Sequence, residues 1–317
     1  MNQLEALKKM TVVVADTGDY GKIKTFKPQD ATTNPSLLLQ AAQLPEYSDL
    51  VNSVIHKSVS TGLTGEALID DVCDRLAVAF GVEILKIVPG RVSTEVDACL
   101  SFDTAKSLEK AYKLIRLYKE AGIAKERILI KLASTWEGVE AARKLEAEGI
   151  HCNMTLIFNF EQAVACAQAG ATLISPFVGR ILDWFVKRDH APVAYTKLTD
   201  PGVVSVTRIY RYFKAHGHAT TVMGASFRSK AEIMGLAGID SLTISPKFLE
   251  ELAKCSEPLD RVLHPDHVGS VPAIHVDEGK FRWSMNEDEM ASDKLSEGIR
   301  NFNKDFEKLR DLIKTRI

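Results

Sequence analysis

The sequence predicts an α/β chain of the (β/α)8 TIM-barrel class, and three observations carry that prediction. Eight short apolar runs, near residues 12, 31, 92, 128, 153, 173, 221 and 242, alternate with segments of helical periodicity, as a barrel of eight βα units requires. The run around residue 130 is apolar on both faces, which is how a parallel strand covered on each side reads. No Gly-rich dinucleotide fingerprint follows any of these runs, which weighs against the competing open, doubly wound sheet. Neither an internal repeat nor a composition break marks a second domain, so residues 1–317 read as one barrel with extra N- and C-terminal helices.

In order, an amphipathic helix over residues 1–10 leads into a buried strand at 11–19 that ends in acid and turn residues, Asp16 among them. A short segment at 30–36 precedes helical periodicity from Leu37, and a long amphipathic region continues to about Phe80. Residues 82–97 hold two strand-like runs, so the strand count carries an error of one there. Asp103 is a good N-cap for a helix whose Leu108, Ala111, Ile115 and Tyr118 share a face until Gly122. Strands at 127–134, 152–158 and 172–180 follow, separated by helices at 137–148 and 161–169. A polar, less regular stretch around 187–201 precedes a helix at 205–216, a strand at 220–226, a helix at 231–237 and a last strand at 241–246. A helix at 248–254 and an irregular His- and Pro-rich stretch lead to a closing helix from about 288 to 317. It shows Leu295, Ile299, Phe302, Phe306, Leu309 and Ile313 on one side. That stripe fits the barrel or a second subunit.

Composition excludes several function classes. A net charge of −2 makes nucleic acid an unsuitable partner. No run approaches the roughly 18 apolar residues of a membrane span, and the apolar run near the N-terminus is too short for a signal peptide. Five cysteines without CxxC spacing fit reduced thiols in a cytoplasmic protein. The pairs His264/His267 and His216/His218 lack a matching third ligand, so surface loops are expected rather than a metal. Trp136, Trp184 and Trp283 read as packing residues.

Lys131 is the residue that stands out, because it lies in the apolar run Ile128-Leu129-Ile130-Lys131-Leu132-Ala133. In an extended strand Leu129, Lys131 and Ala133 share one face and Ile128, Ile130 and Leu132 the other. An inward lysine would be partly desolvated, which disfavours its ammonium and suits a nucleophile that forms a Schiff base with a carbonyl. The alternative is a strand-end lysine that snorkels to water. Lys86 also follows an apolar run, but Val88-Pro89-Gly90 behind it signals a turn. Polar residues embedded in or ending the other strands complete a set at the face where such barrels do their chemistry. They are Asp16, Asn34, Glu95, Asn153 with Thr155, Ser175, and Ser226 with Arg228. Two carboxylates near an amine supply the proton shuttles that Schiff-base chemistry needs. Arg180 and Arg228, just past strands six and seven, lie where such barrels often bind phosphate. Taken singly, strand-end Asp, Asn and Ser are ordinary cap and turn residues.

These residues lie in motifs through which the chain resembles the transaldolase family along nearly its whole length. They are Val14-Ala15-Asp16-Thr17-Gly18-Asp19, Asp30-Ala31-Thr32-Thr33-Asn34-Pro35-Ser36 and Pro89-Gly90-Arg91-Val92-Ser93-Thr94-Glu95. Ile128-Leu129-Ile130-Lys131-Leu132-Ala133-Ser134, Asn153-Met154-Thr155-Leu156, Ser175-Pro176-Phe177-Val178-Gly179-Arg180 and Met223-Gly224-Ala225-Ser226-Phe227-Arg228 continue it. The segments around Asn34, Glu95 and Lys131 are the most specific, and residues 187–199 the least family-like.

The resemblance implies a barrel of the class I aldolase type that needs no cofactor or metal and works as a homodimer. It would act on sugar phosphates, moving a dihydroxyacetone unit from sedoheptulose 7-phosphate to glyceraldehyde 3-phosphate in the non-oxidative pentose phosphate pathway. Carried over by motif, Lys131 is the Schiff-base nucleophile, Glu95 with Thr155 and a water moves protons, and Asp16 takes the donor hydroxyl proton. Asn34, Asn153 and Ser175 would hold the hydroxyls of the transferred unit, and Arg180, Ser226 and Arg228 the phosphate. Phe177 is either an apolar wall against water or a plain core aromatic. Two alternatives stay open: a Schiff-base aldolase acting on fructose 6-phosphate that releases dihydroxyacetone, and a barrel that binds sugar phosphates without turnover.

Overall fold

The computed structural model describes residues 1–189, 195–267, 269 and 271–317. Eight parallel strands close into a barrel in chain order. They are β1 (Val12–Asp16), β2 (Asp30–Thr32), β3 (Val92–Glu95), β4 (Ile128–Ala133), β5 (Cys152–Ile157), β6 (Leu173–Pro176), β7 (Thr221–Gly224) and β8 (Ser241–Ile244). Strand β8 pairs back onto β1, with Val14 opposite Thr243. All eight expected strands are present, and the fold is the (β/α)8 barrel.

Helices fill the crossovers. The first five are α1 (Gln3–Lys8), α2 (Tyr20–Phe26), α3 (Pro35–Gln43), α4 (Ser48–Val59) and α5 (Gly65–Leu85). Next come α6 (Thr104–Glu120), α7 (Trp136–Ala147), α8 (Phe160–Gln168), α9 (Val178–Asp189) and α10 (Pro201–Ala215). Four more, α11 (Lys230–Gly235), α12 (Pro246–Lys254), α13 (Glu278–Glu287) and α14 (Glu289–Lys314), complete the chain. Their starts follow local rules. Asp103 accepts a hydrogen bond from the Lys106 amide, and Asn159 and Gln162 form a reciprocal capping box.

The differences from expectation have local causes. Only one strand occupies residues 82–97, because the first run finishes α5, a helix buried around most of its circumference by α4, α6, α14 and β3. Helix α9 starts directly after β6, where the sequence read as an extended run and then a polar stretch. Residues 190–194 of that stretch lie outside the described residues. Helix α13 stands in the stretch read as irregular, started by Asp277 accepting from the Lys280 amide. Trp283 on it is exposed (61%), unlike Trp136, which packs on Phe281.

Strand alternation sorts the side chains as expected. Ile128, Ile130 and Leu132 point into the core shared with the helices, each such burial contributing about 1.5–3 kcal/mol. Leu129 points inward and meets Val14, Leu173 and Met223 in an apolar plug. Two residues further along, the same strands carry Lys131, Asp16 and Ser175, so a polar layer lies directly above the plug. The closing helix α14 buries its whole predicted stripe against α3, α5, α9 and β5 of its own chain. That face is therefore taken up by the barrel and is not left for a second subunit.

Candidate active site

Lys131 comes from the middle of β4 and is 5% exposed. Glu95 ends β3 directly opposite it in register, and its Oε2 accepts from Lys131 Nζ at 2.9 Å. The amine also donates to the Thr33 carbonyl at 3.1 Å, just past β2. The snorkelling alternative is thereby excluded. Lys86, the rival, has a side chain 63% exposed and pairs with Glu83 at 2.6 Å.

Asp16 ends β1 and accepts from Thr32 Oγ1 at 2.9 Å. Thr32 in turn lies 2.7 Å from Thr243 Oγ1, so the Thr243 hydroxyl donates along the chain. Burial pushes the Asp16 carboxyl above its ordinary value, with Lys131, the Thr32 hydroxyl and Arg180 pulling the other way. Glu95 is raised by burial too, against the opposing pull of Lys131 and Arg180. Both carboxyls are thus moved toward the range useful for proton transfer at neutral pH.

On the other side of Lys131, Asn153 faces it across the β4–β5 register. Both its polar atoms are engaged, with capacity left for one more bond each: Nδ2 donates to Ser93 Oγ at 3.0 Å and Oδ1 accepts from Ser175 at 2.6 Å. Thr155 behaves differently, because its Oγ1 is buried and has no hydrogen-bond partner. A buried hydroxyl left in that state is costly unless substrate or water engages it. Leu156 after it takes φ +57, within an irregularity of the β5–β6 pairing, a conformation a bulky side chain rarely adopts.

The loops after β6 and β7 bring the cations. Phe177 bridges to Ala225, and the Gly179 amide donates to the Ser226 carbonyl at 2.9 Å. A Cβ on Gly179 would come within 2.5 Å of that carbonyl oxygen, so the approach requires glycine. Ser226 takes φ +60. The Arg180 guanidinium lies 4.8 Å from the Phe177 ring centroid. Burial and then the neighbouring Arg228 lower the Arg180 guanidinium from its ordinary value. Arg228 is held by Asp183, with Nη2 to Oδ2 at 2.7 Å, and reaches Ser226 Oγ at 3.4 Å. Glu232 underlies this loop, its Oε2 accepting from the amides of Arg228 and Ser229.

A cleft of about 390 Å³ gathers Asp16, Asn34, Lys131, Thr155, Ser175, Phe177, Arg180 and Ser226. Glu95, Asn153 and Arg228 are not on its wall; Glu95 and Asn153 hold side chains that are, and Arg228 reaches it through Ser226. Asn34 also caps α3 by accepting from the Leu37 amide at 3.0 Å, so its ordinary structural role and its place on the cleft coexist. Phe177 likewise both lines the cleft and packs edge-on against Phe158 at 5.7 Å. The sequence reading missed Thr32, Thr243 and Phe302, which also line it. Thr32 was legible as the inward neighbour two residues before Asn34, whereas Phe302 read as helix core.

A larger cleft of about 1260 Å³ lies between α5, α6 and α14. Its Lys110 and Lys113 are already engaged by Asp97 and Asp74, so neither amine stands free in it. Among the described residues no three His, Cys, Asp or Glu side chains gather as metal ligands. His216 instead meets the Val271 carbonyl at 2.8 Å.

The sequence model of the transaldolase/fructose-6-phosphate aldolase family matches residues 13–313. Curated relatives named transaldolase match along their full length. Those of Shewanella amazonensis and Shewanella oneidensis are each 58% identical over 316 residues, covering 100% of this chain and 99% of the relative. That of Shewanella putrefaciens is 57% identical over 319 residues with the same coverage.

Proposed function

This chain belongs to the transaldolase/fructose-6-phosphate aldolase family, and we propose that it moves a dihydroxyacetone unit between sugar phosphates. The donor would be sedoheptulose 7-phosphate and the acceptor glyceraldehyde 3-phosphate, giving erythrose 4-phosphate and fructose 6-phosphate. The observation that carries this is the buried Lys131 amine, bonded to Glu95 and facing a cleft that also holds Asp16 and the unpartnered Thr155 hydroxyl.

Lys131 would attack the donor ketone, and Glu95 would take and return the protons as the carbinolamine loses water to become an iminium. Thr155 Oγ1 would hold that water, which answers its lack of a partner within the protein. Asp16 would then accept the proton of the hydroxyl next to the scissile bond. The bond's electron pair flows into the iminium, leaving an enamine on Lys131 and releasing an aldose phosphate. The enamine attacks the second aldehyde, Asp16 returns the proton, and hydrolysis frees the ketose product and the lysine. Asn34, Asn153 and Ser175 would hold the hydroxyls of the unit that stays behind. Arg180, Ser226 and Arg228 would bind the phosphate, Arg228 sharing its guanidinium with Asp183. Phe177 would screen the enamine from water.

Transfer rather than simple cleavage is favoured because the full-length relatives carry the name transaldolase. Incubation with fructose 6-phosphate and erythrose 4-phosphate tests this: sedoheptulose 7-phosphate should form far faster than free dihydroxyacetone. Release of dihydroxyacetone as the main product would make the enzyme an aldolase, and no turnover would make the barrel a binding protein. We infer as well that it works in the cytoplasm as a homodimer of single-domain protomers. Five free cysteines support a reducing compartment, and a monomeric mass by light scattering would reject the dimer.

A further inference from the structure

The mouth of the barrel is roofed by a residue from the far end of the chain. Phe302, on α14, is 3% exposed and lines the cleft. Its ring centroid lies 5.6 Å from Lys131 Nζ and 5.3 Å from the Arg180 guanidinium carbon. Arg180 therefore contacts two aromatic rings, Phe177 and Phe302, and only Phe302 also reaches the amine.

Helix α14 is built to press on this place. A Cβ on Gly298 would meet Leu156 Cδ2 at 2.7 Å and Arg180 Nη1 at 3.3 Å, so glycine permits the approach one turn before Phe302. One turn after it, Asp305 accepts from Ser36 at 2.5 Å, two residues beyond Asn34. Further along, Arg310 is tied to Asp70 and Glu66 on α5. An aromatic ring within about 6 Å of a cation stabilises it and excludes water from that side.

We propose that Phe302 is a positioning residue of this site, holding Arg180 at the phosphate end and screening the covalent intermediate on Lys131 from water. The proposal rests on the Schiff-base mechanism above. Its consequence concerns the fate of the enamine. Attack on an aldehyde forms a C–C bond and completes transfer. If water reaches the enamine first, a proton from it forms a C–H bond at the nucleophilic carbon and leaves hydroxide. Hydrolysis of the resulting iminium then releases dihydroxyacetone and returns the amine.

The test compares wild type with Phe302→Leu, which keeps a buried apolar side chain, and Gly298→Ala, which lifts the helix without touching the ring. With fructose 6-phosphate and erythrose 4-phosphate, both variants should raise the ratio of free dihydroxyacetone to sedoheptulose 7-phosphate, Phe302→Leu by roughly tenfold. KM for fructose 6-phosphate should rise in Phe302→Leu through the loosened Arg180. Borohydride should still trap an adduct on Lys131 in both. A product ratio within twofold of wild type in both variants, with the adduct intact, overturns the proposal and leaves Phe302 as packing. Absence of the adduct in wild type would instead overturn the Schiff-base mechanism itself. The variants act through different atoms, so a folding loss in one leaves the ratio readable in the other.

Discussion

Two lysines with little exposure stand on neighbouring elements beside carboxylates two residues apart, Glu95 and Asp97. Lys131 lines the cleft at the barrel mouth and Lys110 the one between α5, α6 and α14. Lys110 on α6 is bound by Asp74 at 2.7 and 3.0 Å and by Asp97 at 2.9 Å. Lys113 adds a further cation on Asp74 at 2.6 Å. Burial opposes the charge on Lys110, yet Asp97 and Asp74 outweigh it and hold the ammonium firmly charged. Lys131 has one carboxylate, Glu95, and one carbonyl. The second carboxylate of its site, Asp16, hydrogen-bonds to Thr32. Burial alone thus does not make a lysine reactive. What separates the two is how fully carboxylates bind the amine, since each lines a cleft.

Lys131→Ala breaks the comparison most sharply: the transfer rate should fall at least about 10³-fold while the fold survives. Circular dichroism beside the product assay separates those two outcomes. Lys110→Ala should do the reverse, costing about 3 kcal/mol in urea unfolding because it leaves the largely buried Asp97 without its cation and Asp74 with Lys113 alone. Its rate per folded molecule should stay near wild type.

Glu232 is an intermediate case, since Oε2 accepts two amides whereas Oε1 is buried without a partner. Burial raises its carboxyl from 4.5 to about 7. A carboxyl whose pKa is higher in the folded state favours folding fully below the unfolded value. That contribution is lost as pH rises through the folded value. Stability should therefore decline between about pH 4.5 and 7, by about 3 kcal/mol at most from this group. Glu232→Gln offers an acceptor to the two amides and a neutral group at the orphaned position. Its urea midpoint should be flatter across that range and higher than wild type at pH 8. Lys86→Ala gives the smallest effect, under about 0.5 kcal/mol and no change in rate, because that lysine is exposed.

Much of this architecture was legible because barrel strands impose a period of two. That period put Leu129 and Lys131 on one face, and it made Asp16, Glu95, Asn153 and Ser175 a set before any distance was known. Residues 82–88 misled because a helix buried on most sides loses its amphipathic period and resembles a strand. Phe302 and Gly298 were invisible as site residues for another reason. The helix stripe that contains Phe302 has the pattern of ordinary core, and nothing local says that the surface beneath it is the barrel mouth. The unequal engagement of Lys110 and Lys131 likewise depends on tertiary distances that the spacing of charges along the chain does not encode.

Borohydride reduction in the presence of fructose 6-phosphate, followed by peptide mass mapping of every lysine, tests the contrast most directly. The predicted result is one reduced adduct, on Lys131, with the peptides carrying Lys110 and Lys86 unmodified. An adduct on either of those lysines, or unchanged labelling in Lys131→Ala, would contradict it.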